Sequence, residues 1–147
     1  MTTQPKVTVE VPAESEFVAV VRLAVSGVAS RMGFTLEDIE DIKVAVSEAC
    51  TNVVQHAYPV GQRGVVRVES IIYDDALEIV VSDSGAGFDT SHIVSTKHHS
   101  DQSDQGVFGL GLGLTFIRSL MDSSEVESNC GSGTIVRMQK KVPVQEG

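Results

Sequence analysis

The 147 residues are expected to fold as an α+β two-layer sandwich, a mixed, mostly antiparallel sheet with helices on one face. Three observations carry that expectation. Hydrophobic residues make up 41% of a chain long enough for one domain with a real core. Apolar residues alternate between period two and period 3.6 in the order β-α-α-β-β-loop-α-β-β. Neighbouring strands are joined mainly by short turns, which suits antiparallel pairing better than a doubly wound sheet. No internal repeat is present, and residues 1–147 are read as a single domain.

Lys6 to Val11 alternates polar and apolar residues and predicts a first strand, which Pro12 ends. Glu14 to Arg31 carries Phe17, Val20, Val21, Ala24, Val25 and Val28 at helical spacing, with Gly33 closing the helix. Thr35, followed by Glu37 and Asp38, predicts an N-cap with acidic residues in the first turn. That second helix should run to about Ala57, where Pro59, Gly61 and Gly64 turn the chain. Val65 to Tyr73 and Ala76 to Ser82 predict a hairpin across Asp74-Asp75. Asp83 to Gly106 is too long and too polar for a passive connection and is expected to be a functional loop. A third helix is predicted over Leu110 to Met121, then a strand from Asp122 and a last alternating strand over Thr134 to Val142.

The net charge is −9, so no basic stripe exists to hold a nucleic-acid backbone, and direct DNA or RNA binding is not expected. No apolar run approaches the length of a membrane span, and Met1 to Val11 carries no secretory pattern. Cys50 and Cys130 form no CxxC pair, which fits a reduced, cytoplasmic setting, with Cys50 a small buried thiol.

Glu48, Asn52 and His56 stand four residues apart and form one polar row on the second helix. The apolar stripe of Ile39, Ile42, Val46, Ala49 and Val53 lies about 100° round the same helix, so the row flanks the buried face. A solvated flank and the edge of a metal-phosphate site both satisfy that pattern. Asp83-Ser84-Gly85-Ala86-Gly87 follows a strand; its carboxylate can accept from an amino group while the glycines admit a flat ligand, or it is a plain glycine turn. Gly109, Gly111 and Gly113 at the mouth of a helix can offer free N–H groups to phosphate, or simply allow packing. Gly133-Thr134 places a hydroxyl at a strand start, or is a hairpin turn.

Taken in order, Glu48-x-x-x-Asn52, Asp83-x-Gly85-x-Gly87, Gly109-x-Gly111-x-Gly113 and Gly133-Thr134 resemble the ATP-binding signature of the GHKL (Bergerat-fold, histidine-kinase-like ATPase) superfamily. Within it the chain resembles the small anti-sigma-factor serine kinases of bacteria, of the general-stress sigma-B type. Val25 to Gly33, Ser47 to Asn52, Gln55-His56-Ala57-Tyr58 and Leu120-Met121-Asp122 carry that likeness.

The resemblance implies an ATP-dependent kinase that sequesters a sigma factor and phosphorylates an anti-anti-sigma (STAS-type) protein on serine. Asn52 would ligate Mg²⁺ and Glu48 would act as general base on the serine hydroxyl. Asp83 would accept from the adenine amino group, with Gly85, Gly87 and Thr134 beside it. Gly109, Gly111 and Gly113 would wrap the ATP phosphates, and residues 89–108 would form the lid. His56 is read as packing the helix end, outside catalysis, and the adjacent His98 and His99 lack further ligands for a metal. Arg22 interrupts the apolar face of the first helix; by resemblance it contacts a partner or the phosphates, and otherwise it is a solvated arginine. A homodimer is implied through the first helix and strand, with Phe17 and Val21 partly exposed.

The lid sequence departs from the pattern of the relatives and holds a single cation, Lys97, so phosphate charge would fall mainly to Mg²⁺ and backbone dipoles. Two alternatives are kept: a nucleotide-dependent binding switch that transfers no phosphoryl group, and a related switch kinase acting on a scaffold protein.

Overall fold

A computed structural model describes residues 4–58, 64–85, 105–129 and 133–143. Its elements are β1 (Lys6–Pro12), α1 (Val18–Arg31), α2 (Leu36–Asn52), β2 (Val65–Ile72), β3 (Ala76–Asp83), α3 (Gln105–Leu120), β4 (Ser123–Asn129) and β5 (Gly133–Lys141). The element order is the one the sequence predicts. The five strands form one sheet in the order β1-β2-β3-β5-β4. Among the described residues every pairing is antiparallel, so the sheet is not mixed there.

The register explains why these segments make strands. Val9, Val68, Val81, Val136 and Val126 stand opposite one another in turn, a row of valines running across all five strands. Their face is covered by helices: α2 lies centrally against β3, with α1 beside it over β1 and β2 and α3 on its other side over β4. Ile42, Val46, Ala49 and Val53 are buried there as the stripe predicts, joined by Ala45 and Cys50. The opposite face is polar and carries the ion pairs Lys6–Glu69 (2.9 Å) and Arg137–Glu127 (2.9 Å).

Local signals act where the sequence places them. The Thr35 side chain accepts from the Asp38 N–H at 3.1 Å and caps α2. Gly33 takes φ +89°, the left-handed conformation that stops α1. Before α1 the chain makes a short 3₁₀ turn, Ser15–Phe17, instead of a helix running from Glu14. After Asn52 the helix widens into a π turn, Val53–Ala57, that carries it to the expected end. At the far end of α2, Lys140 of β5 donates to the Leu120 carbonyl that ends α3 (2.6 Å) and lies 4.0 Å from both Asp38 and Asp41.

Three expectations are corrected. Helix α3 begins at Gln105 and not Leu110, because Val107, Leu110, Leu114, Ile117 and Met121 recur three and four residues apart and extend the helical period through the glycines. Val21 is fully buried, since it shares the core stripe of α1 with Val18, Val25 and Ala29, whereas Phe17 is partly exposed as expected, with the rest of its ring against the same core. The exposed apolar residues of α1 are instead Val20 and Leu23, the latter 72% exposed. Arg22 accordingly lies on the outer face and interrupts no buried stripe.

Candidate functional site

The wide turn after α2 stands over the end of the sheet where β3 stops and β5 starts. Between them is an open cleft. Val81, Val136 and Val126 form an apolar floor, with Asp83 and Thr134 at its polar rim. Ala49, Asn52, Val53, His56 and Ala57 make one wall, and Leu114 of α3 contributes from the other side. A flat apolar ring fits such a floor, with an acceptor at the inner rim and an amide at the outer one.

Asp83 is the last residue of β3, on the helix-facing side of the sheet and opposite Val66 of β2. Burial pushes its carboxyl above the usual carboxylate range. Backbone N–H groups of Gly85 (2.8 Å) and Thr134 donate to it and oppose that shift. The carboxylate is therefore held in one orientation, with capacity left for a ligand donor. The Thr134 and Ser128 hydroxyls pair across β5 and β4 at 2.8 Å. Gly133, at φ +89°, comes so close to the Asp83 carbonyl that a side chain there would collide with it.

Asn52 lines the cleft away from Asp83, and Glu48 stands one turn before it where α3 crosses α2. The contact point is Gly113: a β-carbon there would stand 2.8 Å from the Glu48 carboxylate oxygen and 3.0 Å from Asn52 Nδ2. Glycine lets the helix backbone meet the two polar side chains directly. Asn52 Nδ2 is buried and has no hydrogen-bond partner among the described residues, an unusual state for an amide and a donor poised for a ligand oxygen. An amide with a free donor, a carboxylate one turn away and a carboxylate at the far rim fit a nucleotide with its metal. Mg²⁺ asks for only one or two protein oxygens, the rest coming from phosphate and water.

The sequence-predicted residues thus divide. Glu48, Asn52 and Gly113 meet at one place, and Asp83, Gly85 and Thr134 at another. Gly109 and Gly111 sit inside α3, in its first half, so no helix mouth opens at Leu110 as expected. Gly87, the lid stretch 89–104 and Cys130 lie outside the described residues. Arg22 does not line the cleft. His56 is corrected: the π turn leaves it exposed on the cleft wall, where it does not pack the helix end. Its place in the row with Glu48 and Asn52 was the signal. The apolar walls escaped sequence reasoning, because cleft-lining valines and core valines share one alternation.

A family model described as the histidine kinase-like ATPase domain matches residues 11–140 of the chain. Among curated relatives, the serine-protein kinase RsbW of Bacillus pumilus is 48% identical over 139 residues, covering 89% of this chain and 82% of that protein. The protein of the same name from Bacillus subtilis is 44% identical over 137 residues, with the same coverages of 89% and 82%. That from Oceanobacillus iheyensis is 42% identical over 139 residues, covering 93% and 87%. Among solved structures, the RsbU and RsbW domains of a Mycobacterium tuberculosis protein superpose with a TM-score of 0.67 at 20% identity, covering 94% of this chain and 32% of that one. This last likeness concerns the fold alone.

Proposed function

We infer that this chain, which belongs to the histidine kinase-like ATPase family and to the RsbW serine-protein kinases within it, binds ATP and phosphorylates a protein on serine. It is an anti-sigma kinase: it sequesters a sigma factor and modifies an anti-anti-sigma protein of the STAS type. The observation that carries the site assignment is the meeting of Glu48 and Gly113 at Asn52, which lines one cleft with Asp83.

Adenine lies on the valine floor and donates its amino hydrogen to Asp83, which Gly85 and Thr134 orient; Gly87 is assigned to the base by its place in the sequence motif. The triphosphate runs toward Asn52, Gly113, Gly111 and Gly109. Asn52 would hold Mg²⁺, which would supply positive charge against the phosphate oxygens. Glu48 accepts the proton of the substrate serine hydroxyl as that oxygen attacks the γ-phosphorus. The bond from the γ-phosphorus to the β-bridging oxygen breaks, and ADP leaves. The arrangement supplies position and charge, which is most of what phosphoryl transfer asks of a protein.

The acidic balance of −9 favours a basic sigma-factor surface over nucleic acid. None of the described helices is long and apolar enough to cross a membrane, which agrees with a cytoplasmic regulator. Residues 1–147 act as one ATP-binding domain with the stretch 89–108 as lid. A homodimer forms through the outer side of α1, where Val20 and Leu23 stand exposed, and through the β1 edge of the sheet. Arg22, on that outer face of α1 and away from the cleft, serves a partner protein and not the phosphates.

The test is phosphoryl transfer from labelled Mg-ATP to the anti-anti-sigma partner. Wild type labels the partner's serine. Glu48→Gln binds ATP and labels nothing, whereas Asn52→Ala loses Mg-ATP affinity itself. Transfer by Glu48→Gln at the wild-type rate would remove the general base from this scheme.

A further inference from the structure

Tyr58 has no part in the chemistry above, yet it touches the turn that carries Asp83. It ends the wide turn in extended conformation, φ −123° and ψ 134°. Its phenol donates to the Val65 carbonyl at 2.7 Å, where β2 begins. The same oxygen accepts from the Ser84 N–H at 3.1 Å, across 26 residues of sequence. One hydroxyl thus links the end of the helix, the start of one strand and the residue after Asp83. Its ring is pressed against Gly64, where any side chain would overlap it, so the phenol has little freedom to swing away.

The neighbouring contact works the same way. Gly85 lies so close to the Ala57 carbonyl that a β-carbon would collide with it. Ala57 and Tyr58 therefore form a seat on which Ser84 and Gly85 rest. Gly85 in turn donates its N–H to Asp83 Oδ1 at 2.8 Å. Moving the seat moves Gly85, and moving Gly85 turns the carboxylate. Adenine presents an amino donor at its six-position, whereas hypoxanthine presents a carbonyl that a carboxylate repels. A fixed carboxylate discriminates between them; one free to turn can accommodate either through water.

We propose that Tyr58 is a positioning residue for base recognition: its phenol fixes the Asp83–Gly85 turn and so sets the preference for adenine over six-oxo purines. This rests on the reading of Asp83 as the adenine acceptor.

The test compares the affinities of ATP and inosine triphosphate, which differ at the recognised position and share ribose and phosphates. Tyr58→Phe keeps the ring over Gly64 and removes only the oxygen. The expected result is a fall of about fivefold to tenfold in the ATP-to-ITP affinity ratio, the share of one or two hydrogen bonds, borne by ATP alone. Amide exchange at Ser84 should speed up in the same variant. A loss of general stability would weaken both nucleotides equally. Gly85→Ala lifts the same turn off the Ala57 carbonyl and should lower the same ratio, even if Tyr58→Phe fails to fold. Either variant with the wild-type ratio, at whatever absolute affinity, overturns the role of Tyr58. Wild type that does not prefer ATP to ITP overturns the reading of Asp83, and this one with it.

Discussion

Replacing Gly113 with alanine separates stability from catalysis, because stability should hold while the rate falls. The added methyl stands 2.8 Å from Glu48 Oε1 and 3.0 Å from Asn52 Nδ2, where ordinary contact begins at 3.4 Å. The carboxylate must withdraw by about 0.6 Å and the amide by about 0.4 Å. Both are ends of flexible side chains, so the move costs roughly 0.5–1.5 kcal/mol of rotamer strain. Alanine recovers about 1 kcal/mol of helix propensity over glycine. The net change in folding stability is therefore near zero, and the melting temperature should stay within a few degrees. The rate should not. A displacement approaching 1 Å in a positioned catalytic group can remove about a hundredfold. Single-turnover transfer from saturating ATP should thus fall by one to two orders of magnitude in a protein that melts normally. Gly113→Ala/Glu48→Asp, with a carboxylate one methylene shorter, should recover part of the loss. A Gly113→Ala protein of wild-type rate would refute the reasoning, since the clearance at this crossing would then have no bearing on the reaction.

Other outcomes follow from the same geometry. Asp83→Asn keeps an acceptor for Gly85 yet faces the adenine amino group with a weaker partner; ATP affinity should fall at least about tenfold by titration calorimetry. Burial raises the Asp83 pKa, so the native state holds its proton more tightly than the unfolded chain. Stability without nucleotide should therefore fall as pH rises through the span between the ordinary carboxylate value and the raised one, and Asp83→Asn should flatten that part of the melting profile. Burial pushes the Cys50 thiol up to about 12, so in a Cys130→Ser background iodoacetamide at pH 8 should label Cys50 only as fast as the chain unfolds. Leu23→Asp on the outer side of α1 should shift the protein to monomer by light scattering, leaving the melting of the monomer unchanged.

Much of this was legible in the chain because the signals were periodic or punctual. The valine row and the α2 stripe follow from alternation and from three-and-four spacing, and Thr35 and Gly33 act through their own local chemistry. Glu48 and Asn52 could be singled out because they share a helix. What pairs them with Gly113 is a crossing of two helices more than fifty residues apart, and no spacing encodes that. The misplaced start of α3 has a related cause. Glycines disfavour a helix by propensity, but apolar spacing and the tertiary contact of Gly113 with α2 outweigh it. Val21 and Val20 exchanged roles because an almost wholly apolar helix leaves its inward face undecided until the sheet is placed. His56 and Tyr58 escaped for a further reason: their positions depend on a widened turn that composition does not announce.

That turn sets a phase. An ordinary helix rotates about 100° for each residue, whereas the Val53–Ala57 segment takes more residues per revolution and so delays everything that follows. Winding these same five residues as a regular α-helix would swing the next positions round the axis by about a quarter-turn. Ala57 would no longer present its carbonyl to Gly85, and the Tyr58 hydroxyl would point away from Ser84. The winding of this one segment is thus an indexing device for the base end of the cleft, and tightening it should silence adenine recognition while the sheet and its row of valines stay in register.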